Sequence, residues 1–296
     1  MTTHINTLAI FGVGLIGGSV ALIARHAGLA KRIVGVGRDG DAMSDALRLG
    51  VIDAVEPTAM AVRDADCVLL AMPVGQMTEV MRAIAPHLPA HAVVTDVGST
   101  KGDIVAAARA HMGDALPRFV PGHPIAGAEK SGVLAARTDL FQGKNVVLTP
   151  VAETSAAATQ SIAAFWQACG AKVSEMPHQT HDLVFATVSH LPHLLAFALV
   201  EEIATRPDAD LMFGFAASGF RDFSRIAGSS PEMWRDICLA NRPAMLQALS
   251  AYQQQLARIH DLIDSGRGDE LASIFEHART ARITWARTHN KTDGNT

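Results

Sequence analysis

Lysine, cysteine and aromatic residues are all scarce in this chain, and no charge of one sign dominates it. Aromatic residues make up 5% of the 296 positions. Trp166, Trp234 and Trp285 lie far apart, so they offer no platform on which bases could stack. The net charge of −4 is not the basic surplus expected of a nucleic-acid binder. Three cysteines, Cys67, Cys169 and Cys238, match no metal-ligand spacing. They suit small buried residues in a reducing compartment. No charged-then-apolar leader opens the sequence, and charges, Pro or Gly interrupt every long apolar run. The expectation is a cytoplasmic protein with neither nucleic acid nor membrane as partner. What is present is a globular composition, 49% hydrophobic and 18% charged, in a chain long enough for two ordinary domains.

The first half alternates short apolar runs with helical stretches. "TLAIF" (7–11), "RIVGV" (32–36), "DCVLLAM" (66–72) and "AVVTDV" (92–97) are near-continuous, as strands buried on both faces are. Helical patterning fills 15–28, 40–49, 75–87 and 101–112 between them. This alternation implies βαβ units. Further strands at 118–122, 145–149 and 172–176, with a helix near 155–169, are expected to close the domain. From 178 to 204 and from 230 to 288 the pattern is helical throughout, with Pro243 at a joint or first turn. The predicted fold is α/β: a Rossmann-like doubly wound domain over 1–176, then an all-helical domain over 177–296. The long final helices carry more apolar residues than a small domain buries, which predicts a homodimer.

"GVGLIGGS" places Gly12, Gly14 and Gly17 between a strand and a helix. In that context the spacing predicts a dinucleotide site: a tight turn, a close pyrophosphate approach and close helix packing. The amides of Leu15 and Ile16 open the helix and would face the phosphates. The second strand ends in "GVGRD", so Gly37 stands where an acid would bind the ribose of NAD. Arg38 suits a 2′-phosphate, while Asp39 suits NAD. The cofactor expected is NADP or NAD, with NADP slightly favoured.

In open α/β sheets ligands lie beyond the carboxyl ends of the strands. Met72 and Pro73, after the fourth strand, would border the nicotinamide. Ser99, Thr100 and Lys101 begin a helix after the fifth, where Ser99 could cap the helix, contact substrate, or do both. In "VPGHPIAGAEKSG" Gly122 and Pro124 hold the backbone on either side of His123 among small neighbours. A histidine so aimed can take a proton near neutral pH. In the helical half His178 and His181, and His190 and His193, form two H-x-x-H pairs. Pro192 interrupts the second, and Asp182 is the one carboxylate among them, so no metal site is expected.

"DVGSTK", "GHPIAGAEKSG", "SHLPHLLAFAL" and "ASGFRDFSRIAGSSPEMWRDI" together resemble the prephenate/arogenate dehydrogenases of tyrosine biosynthesis. The resemblance runs from about residue 7 to about 287, in the family's order. It implies a Rossmann-like domain joined to a helical dimerisation domain, and NAD(P)-dependent oxidative decarboxylation of a cyclohexadienyl substrate. It implies His123 as the catalytic histidine on the ring hydroxyl and Ser99 as the serine sharing that hydroxyl. Arg225 would hold a substrate carboxylate, which arginine does bidentately. His190 and His193 would line the pocket and Glu129 would lie near its mouth. The glycine at position 37 departs from the acid usual in NAD-specific members. A β-hydroxyacid dehydrogenase or imine reductase shares the layout, but the hydroxyacid enzymes use a lysine in the helical domain. Here none lies between Lys172 and Lys291. A non-catalytic NAD(P)H sensor would need no aimed histidine.

Overall fold

The computed structural model describes residues 5–37, 40–127 and 130–289. Its N-terminal layer runs β1 (Ile5–Phe11), α1 (Leu15–His26), β2 (Ala30–Val36), α2 (Asp41–Arg48), β3 (Ala54–Val55) and α3 (Thr58–Arg63). It continues through β4 (Cys67–Leu70), α4 (Val74–Ile84), β5 (Val93–Asp96), α5 (Gly102–His111) and β6 (Phe119–Val120). The six strands are parallel in the order β3-β2-β1-β4-β5-β6. The order reverses between β1 and β4, the switch point where such sheets hold ligands.

Both faces of this sheet are covered, which is why its strands read as unbroken apolar runs. On β1, Leu8 and Ile10 pack into one core while Ala9 and Phe11 pack into the other. On β4, Cys67 and Leu69 divide from Val68 and Leu70 in the same way. A fully buried Leu or Ile contributes roughly 1.5–3 kcal/mol, so neither face can be turned to water. The short β3 and α3, in a less apolar stretch, were not legible as periodic runs.

The run expected as one strand at 118–122 divides at Pro121. β6 ends the parallel sheet, and β7 (Gly122–Pro124) pairs antiparallel with β8 (Asn145–Leu148). β8 pairs parallel with β9 (Lys172–Glu175), giving a second, three-stranded sheet where one sheet was expected to close. Proline has no N–H to continue a ladder. The Pro121 carbonyl instead accepts the Thr149 amide at 2.9 Å, and the chain passes from one sheet to the other. Between β8 and β9, α6 (Ala156–Ala168) is capped by Ser155, whose hydroxyl accepts the Ala158 amide at 3.2 Å.

From residue 178 to 289 no strand occurs among the described residues. α7 (His178–Phe185), a π turn (Ala186–His190) and α8 (Leu191–Ala204) form one helical stretch. The π turn lies just before Pro192, whose missing N–H and ring disturb regular i→i−4 bonding. α9 (Ala209–Gly214), α10 (Ser218–Ser224) and a 3₁₀ turn (Arg225–Gly228) occupy a segment the helical pattern had left open. α11 (Pro231–Ala240), α12 (Arg242–Asp264) and α13 (Gly268–His289) follow, with Pro243 in the first turn of α12. The stretch His178–Ala204 is long and apolar enough to cross a membrane by length and composition. Its His181 and His190 are buried against protein groups, while 28% of its apolar window is buried.

Two compact units divide the chain, Met1–Met245 and Leu246–Thr296. The first holds both sheets and every helix through α11. The second consists of most of α12 together with α13, and exposes Leu256, Ile263, Phe275 and Trp285.

Candidate active site

The glycine turn after β1 is built as its spacing predicts. Gly12 has a φ of 92°, a conformation that L side chains rarely adopt. A Cβ on Gly17 would lie 2.2 Å from the Gly12 carbonyl oxygen, so only glycine lets α1 pack this close. A Cβ on Gly14 would meet nothing within 4 Å: the space above it is open. Gly14 is also the N-cap of α1, no side chain caps the helix, and no acid occupies its first turn. Open space, uncapped amides and a positive helix end fit a dinucleotide pyrophosphate. The loop carrying Met72 and Pro73 abuts this turn, since a Cβ on Gly12 would lie 2.9 Å from the Met72 amide. At the end of β2, a Cβ on Gly37 would come 2.9 Å from Met43 Sδ, a flexible side chain that would have to shift for any larger residue there. Arg38 and Asp39 lie outside the described residues, as does Glu129.

Beyond β5 a buried ion pair organises the loops. Lys101 and Asp96 are both fully buried and bonded to each other. Lys101 Nζ also donates to the Gly122 carbonyl at 2.8 Å, while Asp96 accepts the amides of Gly98 (2.7 Å) and Gly122 (3.1 Å). Burial pushes the Asp96 carboxyl up, against the pull of Lys101 and these amides. The pair thus clamps the β5 loop to the residue before His123. Removing one partner of such a pair typically costs about 3–5 kcal/mol, because the other charge is left stranded.

His123 sits on β7, 9% exposed. Its Nδ1 lies 2.9 Å from His181 Nε2, and His181 Nδ1 lies 2.9 Å from Asp182 Oδ1. The phenyl ring of Phe185 packs on both imidazoles, 4.8 Å from His123 and 4.5 Å from His181. Asp182 accepts the amides of Lys101 (2.9 Å) and Gly102 (2.8 Å), so a side chain from α7 caps α5. Ser99, a candidate for that cap, lies three residues before the helix and does not cap it. Burial drives the His123 pKa well below its ordinary value, with further contributions from His181, Lys101 and His190. His123 is therefore neutral at pH 7.

The helical residues named from the sequence gather on the same side. His190 is 1% exposed, and burial lowers its pKa to about 4, while the Ser99 backbone pulls it up. The Asn241 amide donates to the Asp182 carbonyl at 2.9 Å and lies 3.3 Å from His190 Nδ1. His193 stacks on Trp234 at 3.8 Å and donates from Nδ1 to the Ser189 carbonyl at 2.9 Å. Arg225, exposed at the start of its 3₁₀ turn, lies near enough to help hold the His193 pKa down. The two H-x-x-H pairs face different partners, and no group of three or more metal-ligating side chains forms among the described residues. A cavity of about 520 Å³ lined by Arg109, Glu175 and His178 contains none of the expected site residues.

His181, Asp182, Lys101, Asp96 and Asn241 were not assigned roles from the sequence. Asp96 and Lys101 stood inside the quoted "DVGSTK" motif, and His181 and Asp182 inside the His-rich run. Apart from the Lys101–Asp96 pair, five residues apart, their significance depends on contacts across 21 to 81 residues of chain.

The description "Prephenate dehydrogenase, nucleotide-binding domain" matches residues 20–175, and "Prephenate dehydrogenase, dimerization domain" matches residues 177–277. The cyclohexadienyl dehydrogenase of Zymomonas mobilis is 36% identical over 292 residues, covering 96% of this chain and 97% of that protein. The prephenate dehydrogenase of Bacillus subtilis is 36% identical over 283 residues, covering 94% of this chain and 75% of that protein. The chain is also similar to the crystal structure of prephenate dehydrogenase from A. aeolicus in complex with hydroxyphenyl propionate and NAD+. That match has a TM-score of 0.88 and 37% identity, and covers 94% of this chain and 98% of the other. Synechocystis arogenate dehydrogenase matches with a TM-score of 0.79 and 29% identity, covering 94% and 99%.

Proposed function

Since the chain belongs to the prephenate dehydrogenase family, we propose that it oxidatively decarboxylates prephenate, arogenate or both, using a nicotinamide dinucleotide. The observation that carries this reading is His123: a neutral, buried imidazole held beyond the strand ends of a dinucleotide fold. The relatives named prephenate, cyclohexadienyl and arogenate dehydrogenase support the substrate class. Gly12, Gly14, Leu15, Ile16 and Gly17 would hold the dinucleotide, with Met72 and Pro73 beside it. When bound, the nicotinamide supplies the acceptor for the hydride leaving the hydroxyl-bearing ring carbon.

The protein's own part is proton handling and alignment. His123 accepts the hydrogen of the ring hydroxyl, which raises the electron density that expels hydride. Ser99 shares that hydroxyl and fixes its direction. As hydride leaves, the bond from the ring to its carboxylate breaks, CO₂ departs, and the electron pair completes the aromatic ring. The proton held at His123 returns to the phenol oxygen, so no net proton is released. Arg225 holds a substrate carboxylate, and His190, His193 and Glu129 shape the pocket. Aromatisation supplies the driving force, and the enzyme supplies orientation.

For the cofactor the proposal is NADP at least as well as NAD. No carboxylate at Gly37 repels a 2′-phosphate, and Arg38 could donate to it. Such a charge-assisted contact is worth about 1.5–3 kcal/mol, roughly ten- to a hundredfold in affinity. Residues 1–176 would bind the dinucleotide and 177–296 would provide substrate contacts and a homodimer interface. The three free cysteines suit a cytoplasmic setting.

Initial rates with prephenate and arogenate, each crossed with NAD and NADP, test the reading. Turnover of at least one substrate, with NADP no worse than NAD, is expected. Dinucleotide binding with no turnover of either substrate would favour a sensor. Turnover with NAD alone would assign the ribose to Asp39, and an equal loss of both cofactors in Arg38→Ala would do the same.

A further inference from the structure

The hydrogen-bond partners around His123 admit one arrangement of protons. Asp182 is the fixed end. Its two oxygens accept the Lys101 and Gly102 amides at the N-terminus of α5. Main-chain donors and a positive helix end keep a carboxylate ionised. The bonds from His181 and from these amides outweigh burial and hold the Asp182 carboxyl below the usual range. An ionised carboxylate only accepts, so the proton between it and His181 sits on His181 Nδ1, 2.9 Å away. Burial keeps His181 neutral, which leaves its Nε2 with a lone pair. That lone pair faces His123 Nδ1 at 2.9 Å. His123 Nδ1 therefore carries the proton, and Nε2 of His123 is left as the bare nitrogen a base requires.

We propose that His181, anchored by Asp182, is the positioning residue that sets the tautomer and ring orientation of His123. When His123 takes up the hydroxyl proton, its Nδ1–H bond to His181 strengthens and shares the positive charge. The logic is that of a base–acid chain in which the buried acid selects the tautomer of the reacting imidazole, here with a second imidazole between them. The inference rests on His123 being the base and adds what makes it one. Ring packing alone would give a different result: the edge-on contact of His123 and His181, with centroids 5.1 Å apart, could be made by phenylalanine.

Histidine-selective ¹⁵N spectra test the tautomer without substrate, with His123→Asn assigning the signal. In wild-type protein at pH 8, His123 is expected protonated on Nδ1 and bare on Nε2. His181→Phe should lose that bias and lower kcat by about 10- to 100-fold. KM for the substrate and Kd for the dinucleotide should stay within about threefold. His181→Gln, which can still present a carbonyl oxygen to His123 Nδ1, should recover part of kcat. A wild-type His123 protonated on Nε2 would overturn the proposal, as would kcat within twofold of wild type in His181→Phe. The wild-type spectrum and its assignment do not depend on His181→Phe, so misfolding of that variant leaves the proposal open to refutation. If His123→Asn kept full activity, the base assignment would fail while the tautomer result still stood.

Discussion

At the scale of single residues the site is a problem of keeping imidazoles neutral in the right orientation. Burial lowers the pKa of His123, His181, His190 and His193 together. A base that remains unprotonated below its ordinary pKa stays competent there. The expected kcat/KM is therefore flat from pH 8 to about 6.5 and falls only in more acidic solution. A half-maximal point at pH 7 or above would contradict the neutral His123. His123→Asn should leave dinucleotide affinity nearly intact and lower kcat by roughly 10²- to 10⁴-fold, as loss of a general base does. Near wild-type kcat in that variant would remove His123 from the chemistry. Arg225→Ala should chiefly raise KM, because a carboxylate loses its partner in ground and transition states alike. Impaired dinucleotide binding with unchanged KM would move Arg225 out of the substrate site.

At the scale of elements, two junctions do most of the placing. One is the glycine turn between β1 and α1, where two glycines of one motif differ physically. A methyl group at Gly14 enters open space, whereas one at Gly17 collides with the Gly12 carbonyl at 2.2 Å. Gly14→Ala should keep the melting temperature within about 2 °C yet weaken the dinucleotide at least tenfold by obstructing the phosphates. Gly17→Ala should lower both stability and affinity. Equal behaviour of the two variants in thermal melts and dinucleotide titrations would refute this division. The other junction is the start of α5, capped from α7 by Asp182. There one carboxylate both ends a helix and terminates the histidine chain.

At the scale of the molecule, the buried histidines tie stability to pH. A histidine whose folded pKa is depressed binds fewer protons folded than unfolded once pH drops below about 6.5, so stability falls as pH falls. For His190 the window runs from about 6.5 to the folded value of about 4, and the loss approaches the order of 3 kcal/mol across it. Denaturant unfolding followed from pH 7 to pH 4 should show a falling midpoint, with a shallower slope in His190→Asn. A midpoint constant down to pH 5 would contradict the burial of these rings. The second unit, with Leu256, Ile263, Phe275 and Trp285 exposed, is expected to be covered in a two-fold dimer. Sedimentation as a monomer at micromolar concentration would refute that.

Local rules acting over a few residues were readable from the sequence by itself. Strands buried on both faces appear as apolar runs, and the Gly12–Gly17 spacing states its turn, because each depends on near neighbours. The motif resemblance named His123, Ser99, His190, His193 and Arg225 as expected site residues. Tertiary structure alone decided what Pro121 does, since a proline breaks a ladder but does not say which strand receives the chain next. It alone decided the fate of Lys101, Asp96, His181 and Asp182. A buried charge is stable only beside its partners, and beyond the Lys101–Asp96 pair itself these include groups on other elements, Gly122 for Asp96 and Asp182 for the Lys101 amide. No spacing in the sequence encodes a 2.9 Å contact between residues 123 and 181. The proton position proposed for His123 rests on that contact and on the helix end beneath it.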